Sequence, residues 1–160
     1  MKELIIETER LLLYPLGDEA MRQLINAEKD ETMKQAYCEM LQGCIEKPED
    51  RVWYSMWNIE LKEKAGVVVG SFCFKGASKN GMVEIGYGLR NEFCGNGYMT
   101  ETVKAISDWA FTKENVSIIE AETSDGNQKS KNVLLRAGFQ FSGIIGEEGP
   151  RFQLVKNSYC

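Results

Sequence analysis

The hydrophobic pattern of this chain changes from strand-like to helix-like around residue 95. Upstream, apolar residues alternate with polar residues or glycine, which predicts a strand over 82–90. Its apolar positions are Val83, Ile85, Tyr87 and Leu89. Downstream, apolar residues recur at helical spacing, which predicts a helix over 98–112. Its apolar positions are Met99, Val103, Ile106 and Ala110. The segment between them is therefore the N-terminus of a helix that directly follows a strand.

The rest of the chain contains the same two patterns. Further strands are predicted over 8–15, 57–61, 67–74, 117–123, 139–145 and 152–156, and further helices over 18–27, 32–41, 49–55 and 130–137. The spacing of Trp53 and Trp57 would also continue the third helix, so that boundary is open. Three successive strands with short connections, one at Asn80-Gly81, predict an antiparallel meander. The predicted class is α+β, a mixed and mainly antiparallel central sheet of six to seven strands flanked by helices.

Composition narrows the class of protein. A chain of 160 residues with 43% hydrophobic residues fits one globular domain over residues 1–160. The start lacks the apolar run of a secretory signal, and no segment approaches the roughly 20 apolar residues that span a bilayer. We therefore expect a cytoplasmic protein with no membrane partner. The net charge of −5 argues against nucleic acid as a partner and mildly favours a cationic one.

The reactive side chains exclude several chemistries. The cysteines are odd in number and contain no Cys-x-x-Cys pair, so neither a disulfide framework nor a zinc site is expected. We interpret all of them as reduced thiols: Cys38, Cys44, Cys73, Cys94 and Cys160. Because the chain has no histidine, it cannot contain a Ser-His-Asp triad, a Cys-His pair or a histidine metal site.

The loop Cys94-Gly95-Asn96-Gly97-Tyr98 has the features of an anion site. Its two glycines let backbone N–H groups turn toward one point, and the following helix adds unpaired N–H donors and the positive end of its dipole. A phosphate would fit there, although a turn without a ligand is the alternative for so short a motif. A second loop, 125–129, also follows a strand and opens a helix, so both loops are expected to border one crevice.

Several motifs, in this order, resemble the GNAT superfamily of N-acetyltransferases. They are Glu84-Ile85-Gly86-Tyr87, then Gly95-Asn96-Gly97-Tyr98-Met99-Thr100-Glu101, then Asn127-x-x-Ser130 and Ala137-Gly138-Phe139. The opening Glu7-Thr8-Glu9-Arg10-Leu11-Leu12-Leu13 is similar to the branch that acetylates the N-termini of ribosomal proteins. The resemblance covers nearly the whole chain. It implies the acyl-CoA N-acyltransferase fold, acetyl-CoA as cosubstrate, no metal, and a primary amine of a small molecule or peptide as acceptor. It also allows a homodimer, which is common among such enzymes.

The resemblance also implies roles for particular residues. The N–H groups of the glycine loop hold the pyrophosphate, and the backbone edge near Leu89 and Arg90 pairs with the pantetheine amides. Asn127 reaches the pantetheine arm or the thioester, and Lys131 lies near coenzyme phosphates. The implied coenzyme-binding set is Leu89, Arg90, Cys94, Gly95, Asn96, Gly97, Tyr98, Met99, Thr100, Asn127 and Lys131. A helix cap for Asn127 and a solvated charge for Lys131 are the alternatives.

Acetylation of an amine needs a proton acceptor, because an amine with a pKa of about 10.4 is almost wholly protonated at neutral pH. Without histidine the candidates are carboxylates. Glu84 is the best placed, since its strand leads into the glycine loop, and it could act directly or through water. An ion-pairing glutamate is the alternative. Glu101, in the first helical turn, is interpreted as stabilising the helix dipole.

Two positions depart from the family pattern. Many members protonate the departing thiolate with a tyrosine where this chain has Leu134, so Ser130 or water would have to serve. Glu92 replaces the usual Gln or Arg before the glycines and should weaken coenzyme binding unless its side chain points outward. A non-catalytic acyl-CoA-binding regulatory or interaction domain is therefore the main alternative function. A nucleotide-binding protein is disfavoured, because the Gly-Lys-Ser/Thr ending of a P-loop is missing.

The acceptor is the least defined part of this prediction. The segment from Ala27 to Met56, with Tyr37, Trp53 and Tyr54, is the candidate for its site, with an aromatic core as the alternative. The acidic composition slightly favours a basic peptide, a polyamine or an aminoglycoside.

Overall fold

The computed structural model describes residues 4–156, so the predicted thiol of Cys160 lies outside the described residues. Its centre is an eight-stranded mixed sheet in the order β1-β2-β3-β4-β5-β6-β8-β7. The strands are β1 (Ile6–Glu7), β2 (Leu11–Pro15), β3 (Met56–Leu61), β4 (Val68–Phe74), β5 (Met82–Leu89), β6 (Ile118–Glu122), β7 (Gln140–Ile145) and β8 (Pro150–Val155). The helices are α1 (Asp18–Ala27), α2 (Glu31–Glu46), α3 (Tyr98–Phe111) and α4 (Gln128–Arg136), with 3-10 turns at Pro48–Trp53 and Asn91–Phe93.

The predicted α+β class is confirmed, and the number of six to seven strands is too low. The strand predicted over 8–15 is β2, which begins only at Leu11, and the extra strand β1 at Ile6–Glu7 was not predicted. The two are separated by a turn at Thr8. The Thr8 N–H donates to the Leu11 carbonyl, and the Leu11 N–H donates to Thr8 Oγ1, both at 2.9 Å. A threonine side chain that bonds nearby backbone in this way competes with strand pairing. The helix predicted over 49–55 is a 3-10 turn that ends before β3.

One face of the sheet carries the main hydrophobic core. The alternating residues of the central strands pack there against α3, whose buried positions include Met99, Val103 and Ile106. An aromatic cluster fills the middle, with ring centroids 4.7 to 6.1 Å apart. Its members are Trp53, Trp57, Phe72, Phe74 and Trp109. Trp53 therefore belongs to the core, which was the alternative to a role in the acceptor site.

The other face of the central strands is covered by α1 and α2, which contact each other. Leu24 of α1 and Tyr37 of α2 lie over Met56, Asn58 and Ser71 of the sheet and enclose a pocket with them. Within residues 4–156 no helix is long and apolar enough to cross a bilayer. The pocket and the core thus lie on opposite sides of the same strands.

Candidate functional site

The site is built around a gap between two parallel strands. β5 pairs with β6 in parallel from Met82↔Ile118 to Ile85↔Ala121, and the pairing ends there. β5 continues to Leu89, still paired with β4 on its other side. The last four residues of β5 therefore have an open edge on the side of β6.

Tyr87 and Leu89 present their backbone groups along this open edge. Bonds to β4 and its continuation show which residues face the other way: the Arg90 N–H donates to the Val69 carbonyl, and the Glu84 carbonyl accepts from the Lys75 N–H, both at 2.8 Å. In an antiparallel ladder the bonding direction alternates with every residue, so the even-numbered residues of β5 face β4. Tyr87 and Leu89 then direct their N–H and C=O groups into the gap. The predicted edge at Leu89 is available, whereas the Arg90 N–H is already bonded.

The glycine loop lies directly beyond the open end of β5. Gly95 and Gly97 have φ of +87° and +78°, a left-handed conformation that favours glycine. Gly97 is the N-cap of α3, and it has no side chain that could accept a hydrogen bond from the first N–H groups of the helix. A Cβ at Gly95 would meet no atom within 4 Å, so the space beside the loop is open. The first turn of α3 thus offers unpaired N–H donors and a positive dipole to a group bound there.

The side chains in and before the glycine loop have different surroundings. Met99 is 4% exposed and packs in the core, so only its backbone is available to a ligand. The Cys94 thiol approaches the Arg90 carbonyl at 3.7 Å. Glu92 lies before the loop in the turn Asn91–Phe93 and is exposed, so solvent screens its charge. An anion on this loop would therefore meet backbone N–H groups.

Arg10 connects the start of the sheet to this loop. Its Nη1 donates to the Asn96 carbonyl at 2.8 Å and its Nε to Glu101 Oε1 at 2.7 Å. Its guanidinium lies 4.5 Å from the centre of the Tyr98 ring. Glu101 also accepts from Thr8 Oγ1 at 2.6 Å and from the Arg10 N–H at 3.0 Å. Burial acts to raise the pKa of Glu101, but these hydrogen bonds outweigh it and lower that pKa.

The second predicted loop leads into α4. The Asn127 Oδ1 accepts from the Ser130 N–H at 3.1 Å, so Asn127 caps the helix and its amide nitrogen stays available. Lys131 Nζ donates to the Asp125 carbonyl at 2.5 Å and lies 3.8 Å from the carboxylate of that residue. Lys131 is thus turned back onto its own loop.

Ser130 and Tyr87 lie against each other between β5 and α4. Their hydroxyl oxygens are 2.9 Å apart. Burial raises the pKa of Tyr87, with the Ser130 hydrogen bond acting in the opposite direction, so the phenol keeps its proton at neutral pH. Leu134 is fully buried in the core. The hydroxyl pair therefore lies between β5 and α4, whereas Leu134 packs into the core.

Glu84 belongs to a network of charges on the face of the sheet that carries the pocket. Its Oε1 accepts from Arg151 Nη2 at 3.0 Å, and its Oε2 lies 3.0 Å from Lys75 Nζ. Arg151 also contacts Glu120 at 3.4 Å and Glu122 at 2.7 Å. Burial acts to lower the pKa of Arg151, but the surrounding carboxylates outweigh this effect and raise that pKa above its ordinary value. Glu84 is thus paired with two cations in this network.

A pocket of about 320 Å³ reaches the end of β5 from the α1–α2 side. Apolar side chains dominate its lining, together with the neutral groups of Tyr37, Asn58 and Ser71. Burial raises the pKa of Tyr37, so this hydroxyl is uncharged. Among the described residues that line the pocket, Arg90 alone carries a charge. Within residues 4–156, no group of three or more His, Cys, Asp or Glu side chains could hold a metal ion.

Sequence reasoning singled out the glycine loop, Asn127, Ser130 and Glu84 as site residues, and it missed Arg10 and Tyr87. Both residues belong to the motifs that carried the resemblance. The contacts of Arg10 with Asn96 and Glu101 bridge 86 and 91 positions. A pattern in the sequence does not show which distant residue a side chain reaches.

Comparison with known proteins agrees with the fold. A family model described as an acetyltransferase (GNAT) domain matches residues 8–140. The chain is similar to YjdG, an uncharacterized N-acetyltransferase of Bacillus subtilis, with 30% identity over 86 residues, 54% of this chain and 51% of that protein. This match spans about half the length of that relative. A second protein of the same organism, YoaA, is 26% identical over 154 residues, 88% of this chain and 85% of the relative.

Two solved structures share the fold. The ribosomal-protein-S5-alanine acetyltransferase from Vibrio fischeri has a TM-score of 0.75 and 16% identity, covering 99% of this chain and 100% of that one. The ribosomal L7/L12 α-N-protein acetyltransferase RimL, solved in complex with coenzyme A, has a TM-score of 0.72 and 17% identity, covering 95% and 98%.

Proposed function

The chain belongs to the GNAT acetyltransferase domain family, and from this we propose that it transfers an acetyl group from acetyl-CoA to a primary amine. One observation carries the proposal: the open edge of β5 ends directly at the glycine loop and the N-terminus of α3. An extended chain with amides could pair with Tyr87 and Leu89 while its diphosphate lies on the loop. The complex of RimL with coenzyme A supports this choice of donor.

The transfer proceeds by direct attack in a ternary complex. The lone pair of the amine attacks the thioester carbon, the C–S bond breaks, and coenzyme A leaves as a thiolate that takes up one proton. The attacking nitrogen loses one proton to a base. The pocket meets β5 at Gly88, Leu89 and Arg90, so the amine would approach the thioester from the α1–α2 side. No covalent intermediate on the protein is needed.

Glu84 is the proposed proton acceptor, acting through water between its carboxylate and the amine. We expect Glu84→Gln to lower the rate constant kcat by about 100-fold, because a positioned base contributes at least that much. The KM for acetyl-CoA should stay unchanged. Steady-state kinetics at neutral pH measure both constants.

Glu120→Gln is the matched control for this variant. Glu120 lies beside Glu84 on β6 and shares its contact with Arg151, so the substitution disturbs the same network without removing the proposed base. Equal rates for Glu84→Gln and Glu120→Gln would assign Glu84 to the ion-pair network alone.

Ser130 is the proposed hydrogen-bond donor to the departing thiolate, with Tyr87 orienting its hydroxyl. We expect Ser130→Ala to lower kcat by about 10-fold, a modest loss because a thiol with a pKa of about 8.5 leaves well without help. Tyr87→Phe should give a smaller decrease. Stopped-time assays of the free thiol of released coenzyme A measure kcat. An unchanged kcat in Ser130→Ala would leave water as the proton source.

The pocket favours an acceptor amine carried by a neutral group over a polyamine. A second ammonium buried here would find Arg90 but no carboxylate among the described lining residues, and burying an unpaired charge is costly. On the same face Glu84 is paired with Lys75 and Arg151, and Glu60 accepts a hydrogen bond from the Tyr14 hydroxyl at 2.7 Å. This reverses the slight preference for polyamines that the overall charge suggests.

The test is an incubation with acetyl-CoA and a panel containing neutral N-terminal peptides, basic peptides and spermidine. We expect release of free coenzyme A together with one acetyl group added to the neutral peptides, seen by mass spectrometry. Binding of acetyl-CoA in calorimetry without transfer to any acceptor would instead support the non-catalytic acyl-CoA-binding domain.

A further inference from the structure

We propose that Arg10 is a positioning residue for the coenzyme diphosphate: it fixes the orientation of the glycine loop and neutralises Glu101 beside it. The inference rests on the proposed function, since it assigns the loop to a diphosphate. Arg10 lies just before β2, on a different part of the chain from the loop. It is joined to the loop by the bonds to Asn96 and Glu101 and by its stacking on Tyr98.

The bond to Asn96 determines the direction of an N–H group in the loop. The Asn96 carbonyl and the Gly97 N–H belong to one planar trans peptide, so they point in opposite directions. With the carbonyl held on Arg10, the Gly97 N–H is directed away from Arg10. Gly97 is the N-cap of α3, so this N–H lies at the positive end of the helix. Arg10 thereby orients one N–H donor of the anion site from the side of the loop opposite that donor.

The bond to Glu101 removes an electrostatic conflict. A carboxylate in the first turn of α3 stabilises the helix dipole, but it would repel a diphosphate on the same N-terminus. Glu101 is held by Arg10 and by the Thr8 hydroxyl, and its side chain is 19% exposed. The pair therefore presents little net charge to the loop. Without Arg10, the anion site would contain an unpaired negative charge.

The experiment compares two donors, acetyl-CoA and S-acetylpantetheine, which lacks the diphosphate. We expect Arg10→Gln to raise the KM and the dissociation constant for acetyl-CoA by about 10- to 100-fold, the worth of one charge-assisted hydrogen bond. The KM for S-acetylpantetheine and the kcat at saturation should change less than about 3-fold. The double variant Arg10→Gln with Glu101→Gln should bind acetyl-CoA more tightly than Arg10→Gln alone. Arg10→Lys should restore part of the affinity.

Arg22→Gln is the control, because Arg22 is an exposed arginine whose partner Glu19 is 3.9 Å away on the same helix. A purely structural role for Arg10 would weaken both donors equally, and that result would overturn the proposal. So would Arg10→Gln with unchanged affinity for acetyl-CoA. The calorimetric dissociation constant does not depend on turnover. Hence an effect of Arg10 on binding without any acetyl transfer would retain this inference and refute the proposed activity alone.

Discussion

Replacing Gly97 by valine is expected to lower the affinity for acetyl-CoA by about 1000-fold, the worth of two charge-assisted hydrogen bonds. Gly97 has φ of +78°, where a β-branched side chain is strongly strained. A Cβ there would make only an ordinary contact with Nη2 of Arg10, at 3.5 Å, so backbone strain is the main effect. The loop would have to change its backbone conformation, and the N–H groups of Gly97 and Tyr98 would lose their common direction. Calorimetry with acetyl-CoA measures the change.

Substitutions at two other glycines distinguish backbone strain at Gly97 from a general effect of replacing a glycine. Gly95→Ala introduces a Cβ at φ of +87° with no atom within 4 Å, so it should weaken binding less than Gly97→Val. Gly17→Ala introduces a Cβ in open space at φ of −79° and should leave binding unchanged. If Gly97→Val bound acetyl-CoA like the unaltered protein, the glycine loop would not be the diphosphate site.

Replacing Arg151 by methionine is expected to lower the midpoint of thermal unfolding by roughly 4–8 °C, which corresponds to about 2 kcal/mol in a domain of 160 residues. Arg151 contacts Glu84, Glu120 and Glu122, and its side chain is 19% exposed. Removing the guanidinium leaves three carboxylates on adjacent strands facing one another with Lys75 as the remaining cation. Differential scanning calorimetry at neutral pH measures the midpoint. Arg151→Lys keeps the charge but not the forked geometry, so it should have a smaller effect.

The effect of Arg151→Met should depend on pH in a definite direction. Bonds from the Glu148 N–H and Arg151 lower the pKa of Glu122 below its ordinary value of 4.5. A lowered pKa in the folded state stabilises the protein above pH 4.5, and this contribution is lost as the pH falls through the folded-state pKa. The difference between the unaltered protein and Arg151→Met should therefore be greatest at neutral pH and should narrow below about pH 4. Equal midpoints at neutral pH would contradict a stabilising role for the network.

The sequence allowed much of the fold and the position of the glycine loop to be predicted, because both depend on local patterns. Alternating apolar residues and the Asn80-Gly81 turn determine β4, β5 and their hairpin, as the structure confirms. The strand-to-helix change places the loop at the start of α3. The missed strand β1 has only two residues, too few to show a periodicity.

What could not be predicted depends on contacts between distant parts of the chain. The position of Glu84 on β5 suggested a base, but its partner Arg151 lies 67 positions away on β8. Likewise, the net charge favoured a cationic acceptor, whereas the described residues that line the pocket include no acid. Composition gives the total charge of a protein, and only the fold shows which charges remain unpaired.

Hydrogen exchange of the backbone amides with and without coenzyme A is the most direct test of the central claim, that the open edge of β5 and the glycine loop hold the donor. We predict that coenzyme A slows exchange at the amides of Tyr87 and Leu89 and throughout 95–99. Binding of coenzyme A that leaves these amides unchanged, or that protects only α1 and α2, would contradict it.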